Sequence, residues 1–92
     1  MNYTYVLECC NKNSRVEFYV GFTGGLRERL MSHQQGKVKS TKEFVSIRLV
    51  YYEACLSKKD ARIRELQLKT GFGRGYIKRR LSFYFDERAC PP

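Results

Sequence analysis

Acidic residues are scarce in this chain. Nine Asp and Glu stand against 18 Lys and Arg over 92 residues, a formal charge of +9 at pH 7. The second half carries most of it, with ten basic and four acidic residues from Ser57 onward. So one-sided a balance points past a merely basic surface to a polyanionic partner, most often nucleic acid. No apolar run approaches 18 residues, which excludes a membrane-spanning helix on hydropathy. There is no signal-peptide pattern, and a reduced cytoplasmic protein is the expectation. The four cysteines, Cys9, Cys10, Cys55 and Cys90, include no C-x-x-C pair, which argues against a zinc site. They read as small hydrophobes plus one exposed thiol near the C-terminus. Histidine occurs once, at His33. With 92 residues the chain predicts one domain, residues 1–85, with a frayed tail over 86–92. A domain of this size buries only roughly 60–65% of the surface its unfolded chain exposes, so the core is modest.

What is present has clear periodicity. Tyr3–Cys9 is rich in β-branched and aromatic residues, as strands are. Asn11–Ser14 is a turn cluster. Arg15–Thr23 alternates, with Val16, Phe18, Val20 and Phe22 on one face and Glu17, Tyr19 and Gly21 on the other. Gly24-Gly25 breaks the strand. Leu26–Gln35 has helical spacing, and Gly36 is a plausible stop. Lys37–Ser46 reads as a basic loop and Ile47–Ala54 as a third strand. Ser57-Lys-Lys-Asp60 has the form of a capping box for a helix over Lys58–Lys69. Gly71-Phe-Gly73 interrupts, and Gly75–Tyr84 is a last short helix. The order β-β-α-β-α-α predicts an α+β layer, a small three-stranded antiparallel sheet flanked by helices.

Polar side chains fall where core- or cleft-facing ones are expected. Tyr5 and Tyr19 lie on hairpin partners. Arg29 and His33 are four apart and share a helix face. Glu65 sits mid-helix among apolar neighbours, with Arg62, Arg64 and Lys69 at hand to neutralise it. Singly, each has an ordinary reading: a half-buried strand tyrosine, a solvated arginine, a satisfied histidine, a helical salt-bridge partner.

Together they resemble the GIY-YIG nuclease superfamily. The elements are Tyr3-Thr4-Tyr5, then Tyr19-Val20-Gly21, then Arg29 and His33, then Glu65. The likeness is nearest to the small standalone bacterial members, themselves similar to the N-terminal catalytic module of the excinuclease that nicks damaged DNA. It runs from about Tyr3 to Leu81 and rests on two stretches in order, YVGFTGGLRERLMSHQQGK and LVYYEACLSKKDARIRELQLK. The resemblance implies a divalent-metal-dependent endonuclease acting on DNA in repair, recombination or mobile-element processing. It implies Tyr5 and Tyr19 as the tyrosines of the GIY and YIG elements, Arg29 as the helix arginine and Glu65 as the metal-binding glutamate. His33 falls where the family has a histidine or tyrosine. Two departures stand out. Tyr3 and Thr4 replace glycine and isoleucine, as is common among standalone members. Phe22 stands where some family nucleases carry a tyrosine-activating lysine, which makes His33 the more attractive proton acceptor.

The chemistry suits these residue types. Cutting a phosphodiester needs an activated water, charge relief on the phosphoryl oxygens and help for the leaving 3′ oxygen. Glu65 would hold one Mg²⁺ or Mn²⁺, with waters and phosphate completing the shell. Arg29 would pair with a non-bridging oxygen. Tyr5 would orient or deprotonate the water, Tyr19 would position phosphate or water, and His33 would take or relay a proton. Lys37, Lys39, Lys42, Arg74, Lys78, Arg79 and Arg80 are candidates for backbone contacts. The alternative is a non-catalytic nucleic-acid-binding module, on the same fold or on an RNA-recognition strand. For the latter, Lys69–Tyr76 (KTGFGRGY) is a poor match, since a threonine intrudes and the closing V-x-F/Y is missing. A subunit of a larger repair or mobile-element system is a third class.

Overall fold

The computed structural model describes residues 1–87. Residues 88–92, with Cys90 and the end of the expected tail, lie outside those described. Three strands, β1 (Asn2–Cys10), β2 (Val16–Thr23) and β3 (Ser46–Cys55), pair antiparallel in the order β2-β1-β3. β1 is central, and its side chains from Thr4 to Cys10 are all buried. Because side chains alternate along a strand, β1 feeds two cores. Tyr5, Leu7 and Cys9 pack with Tyr19, Leu26, Leu30 and Leu49 on one face. Val6 packs with Leu68, Ile77, Val20 and Val50 on the other. Helix α1 (Leu26–Gln34) covers the first face, and α2 (Lys58–Leu68) and α3 (Gly71–Arg80) cover the second. Each fully buried Leu- or Val-sized side chain contributes roughly 1.5–3 kcal/mol. The alternation expected for β2 holds, with Tyr19 on the α1 side and Val20 on the α2 side.

The sheet is not uniform. Val6 pairs with Tyr51 but Leu7 with Leu49, so β3 carries one extra residue at this point. This β-bulge turns Val50 and Tyr51 to the same face, where both pack on the Val6 core. Tyr51 there donates to Glu53 Oε2 at 2.8 Å and accepts from Tyr76 at 3.0 Å. Arg64 binds both carboxylate oxygens of Glu53, with distances of 2.9 to 3.0 Å, and lies 4.8 Å from the Tyr76 ring centre. The network ties β3, α2 and α3 into one layer.

The observed order is β-β-α-β-α-α-α, one helix more than expected. The expected helix over Gly75–Tyr84 is two, α3 and a short α4 (Ser82–Glu87), which takes in Asp86 and Glu87 of the expected tail. Gly71-Phe-Gly73 does not interrupt: it is the first turn of α3. Thr70 is the N-cap, its Oγ1 accepting from the Gly73 N–H at 3.1 Å. Gly73 is required because α2 passes so close that a Cβ would lie 2.4 Å from Leu68 Cα. These glycines therefore serve helix packing, and no RNA-recognition strand exists here. Ser57 does precede α2, but its side chain makes no capping hydrogen bond. The stop at Gly36 is as expected: φ is +74°, and Lys37 N–H donates to Ser32 C=O at 3.0 Å.

Candidate active site

Tyr5 lies on the central strand directly opposite Gly21 of the edge strand β2. Its ring leans over that glycine, and a Cβ on Gly21 would lie 2.5 Å from the Tyr5 hydroxyl oxygen. The missing side chain is what lets the tyrosine head reach toward the sheet edge. Tyr19, two residues before Gly21 on the same face, sets its ring 6.3 Å from that of Tyr5.

The Gly24-Gly25 turn launches α1 across this face, and one helical turn separates Arg29 from His33. His33 is wholly buried. Its Nε2 lies 2.9 Å from the Tyr5 hydroxyl and its Nδ1 2.7 Å from Thr41 Oγ1. Its ring stands edge-on to both tyrosines, 5.0 Å from Tyr19 and 5.8 Å from Tyr5. Arg29 is partly exposed and presents its guanidinium to the Tyr5 and Tyr19 hydroxyls. Four of the five expected residues, Tyr5, Tyr19, Arg29 and His33, thus meet on one face.

Their environment keeps both proton-active groups neutral. Burial raises the Tyr5 pKa above that of a free phenol, and the hydrogen bond from Arg29 only partly offsets this. Burial, and then the charge of Arg29, lower His33 to about 4. At neutral pH the pair is a phenol beside an unprotonated imidazole.

Glu65 comes from the opposite layer, on α2, and is 5% exposed. Arg62 contacts its Oε1, and Lys69 Nζ lies 3.2 Å from Oε2. The neutralisation expected from the sequence is therefore real for these two cations, whereas Arg64 is committed to Glu53. Glu65 is near enough to Tyr5 for its charge to raise the phenol pKa. The Phe22 ring, in the place of an activating lysine, carries the Arg62 guanidinium 5.6 Å from its centre. Glu65 thus stands on the α2 side of the sheet and the other four on the α1 side.

A divalent metal can be tested against this donor set. Among the described residues no three His, Cys, Asp or Glu side chains cluster as a metal cage. Mg²⁺ does not need one, since it keeps several waters and takes one or two carboxylates plus substrate phosphates. The buried Glu65 carboxylate fits that requirement, and each oxygen has lone-pair capacity beyond its present cation.

The seven candidate backbone contacts are all exposed but fall into two groups. Lys37, Lys39 and Lys42 lie in the segment after α1, around Val38 and Thr41, which are both buried. Arg74, Lys78, Arg79 and Arg80 lie on α3, on the other face. Arg74 and Lys78 rim a groove of about 410 Å³ floored by Val6, Val20, Leu68 and Ile77. Thr41 itself was not among the expected site residues. It sits in a polar stretch with no local signal, and only the fold brings it to His33.

With this geometry in view, the comparisons are decisive. Residues 1–80 match the model of the GIY-YIG catalytic domain. The chain belongs to the GIY-YIG family. A UPF0213 protein of Bacillus pumilus (strain SAFR-032) is 31% identical over 87 residues, 94% of this chain and 80% of the relative. A UPF0213 protein of Clostridium perfringens (strain 13 / Type A) is 34% identical over 70 residues, 75% of this chain and 71% of the relative. One from Streptococcus pyogenes serotype M5 (strain Manfredo) is 40% identical over 68 residues, 73% of this chain and 70% of the relative. No solved structure matches the chain. Membership places the chain in a nuclease family, with the α+β fold that the resemblance implied.

Proposed function

We propose that this GIY-YIG protein is a divalent-metal-dependent endonuclease that hydrolyses phosphodiester bonds in DNA. The observation that carries the reading is the 2.9 Å contact between the Tyr5 hydroxyl and His33 Nε2, with Arg29 facing the same hydroxyl. Tyr5 orients the attacking water and takes its proton as the phenolic proton passes to His33. His33 is unprotonated at neutral pH, since burial and Arg29 lower it to about 4, and its Nε2 is open to the phenolic proton as a weak base. Arg29 then pairs with a non-bridging phosphoryl oxygen, where its planar donors act bidentately. Tyr19 holds the phosphate or the water through its hydroxyl. Glu65 is the residue that would hold Mg²⁺ or Mn²⁺, which when bound stabilises the leaving oxygen and polarises the phosphate. Lys37, Lys39 and Lys42 on one face, and Arg74, Lys78, Arg79 and Arg80 on the other, contact the DNA backbone. Such contacts give affinity without sequence information, which suits repair, recombination or mobile-element processing.

Cleavage of labelled duplex, flap, four-way junction, single-stranded DNA and RNA tests this, each with Mg²⁺, with Mn²⁺ and with EDTA. Metal-dependent cutting that Arg29→Ala and Glu65→Ala both abolish is the expected result. Binding without cutting under every metal would sink the catalytic reading.

A further inference from the structure

The site has a polar group that none of the roles above uses. Thr41 is 1% exposed, yet its hydroxyl is 2.7 Å from His33 Nδ1. Tyr5, His33 and Thr41 form one buried chain of hydrogen bonds running from the candidate reacting centre into the α1–β3 connection.

The direction of that chain follows from the relay in which Tyr5 hands its proton to His33. The Tyr5 hydroxyl has one proton to donate, and it faces His33 Nε2 and the Arg29 guanidinium. A guanidinium donates and has no acceptor. The phenolic proton therefore goes to Nε2, which must be bare. A neutral imidazole carries its one proton on the other nitrogen. Nδ1–H then needs a buried acceptor, and Thr41 Oγ1 is there to accept. Were Thr41 the donor instead, Nε2 would carry the proton and Tyr5 could not hand its own proton to His33, as the relay requires.

We propose that Thr41 is a positioning residue that fixes His33 in its Nδ1–H tautomer, so that Nε2 stands as the acceptor for Tyr5. This rests on the proton-relay reading of His33. Thr41 touches no substrate and acts only through the imidazole. The same residue gives Lys39 and Lys42 a fixed anchor between them, since its side chain is held inside while theirs are exposed.

The test exploits His33 being the only histidine of the chain. Histidine-selective ¹⁵N labelling of the full chain gives one imidazole, whose two-bond ¹H–¹⁵N pattern reports the tautomer without assignment. At pH 7 the wild type is expected to show a pyrrole-type Nδ1 and a pyridine-type Nε2. Thr41→Val, which keeps the shape and removes the acceptor, should shift the population toward Nε2–H. Thr41→Ser should restore the wild-type pattern. Single-turnover cleavage should fall by about 10²-fold in Thr41→Val, in the range of a lost general base, with DNA affinity unchanged and activity recovered in Thr41→Ser. A wild-type spectrum with Nε2–H overturns the proposal without any variant, even one that fails to fold. So does a Thr41→Val protein that keeps both the tautomer and the rate. If no substrate is cut by the wild type, the nuclease reading fails while the spectrum still decides the tautomer.

Discussion

Gly21 and Tyr5 occupy one volume between them: the place of a glycine Cβ is 2.5 Å from the Tyr5 hydroxyl oxygen and 2.6 Å from its Cζ. A Gly21→Ala protein must therefore push the phenol off its seat. The Tyr5–His33 hydrogen bond is then lost, and overpacking costs about 1–3 kcal/mol. Urea unfolding should register that loss, and cleavage should fall at least as far as in Tyr5→Phe. An alanine variant with wild-type stability and wild-type rate would show that the tyrosine head need not sit where it does.

Acid should loosen the fold through His33. Its pKa falls from 6.5 to about 4 on folding, so the unfolded chain binds the proton more readily. The stability this contributes is fully present above about pH 6.5 and is lost as pH falls toward 4. A shift of this size corresponds to roughly 3 kcal/mol. Urea midpoints measured from pH 7 to pH 4 should show the decline, and a folded His33→Asn variant should show less of it. An equal slope in both proteins would place the acid sensitivity elsewhere.

Gly73 separates stability from chemistry. A Cβ there would meet Gln67 O and Leu68 Cα, each at 2.4 Å, and backbone cannot step aside as a side chain can. Gly73→Ala should lower stability by about 1–3 kcal/mol. The Tyr5–His33–Thr41 chain lies on the other face of the sheet, so the His33 imidazole spectrum of the folded fraction should stay that of the wild type. Comparing thermal melts with that spectrum checks both halves.

Salt dependence reads the basic surface. Neutralising one residue that contacts a phosphate should lower the slope of log K against log salt by about 1 and weaken all sequences alike. Applied one at a time to Lys39, Lys42, Lys78 and Arg79, this assigns each of the two exposed groups to the DNA path or removes it.

Much of this was legible in the sequence, and the exceptions have physical causes. The strands were visible because the alternation along Arg15–Thr23 is strict and the sheet buries both faces. Arg29 and His33 could be placed on one face because helical spacing puts residues four apart together. The start of α3 was hidden because three glycines between 71 and 75 read as a break. Only the close approach of α2 explains Gly73 inside a helix. Ser57 and Asp60 had the capping pattern, but a pattern does not make the hydrogen bond. The bulge that turns Val50 and Tyr51 to one face is a pairing property of two strands, invisible in either alone. Thr41 is eight residues from His33 through a loop, and no periodicity connects them.

The most direct measurement uses Glu65→Gln, which removes the charge and keeps the shape. Arg62 and Lys69 are half exposed and can turn to water once the charge of Glu65 is gone, and a urea melt of the same protein checks that the fold is kept. DNA affinity and single-turnover cleavage would be measured on the same protein, with a Mn²⁺ titration. The account predicts near-wild-type DNA binding, weakened Mn²⁺ dependence and a rate lower by about a thousandfold, the several kcal/mol a metal ion supplies. A Glu65→Gln protein that cuts within tenfold of the wild type, with the same response to Mn²⁺, would contradict it.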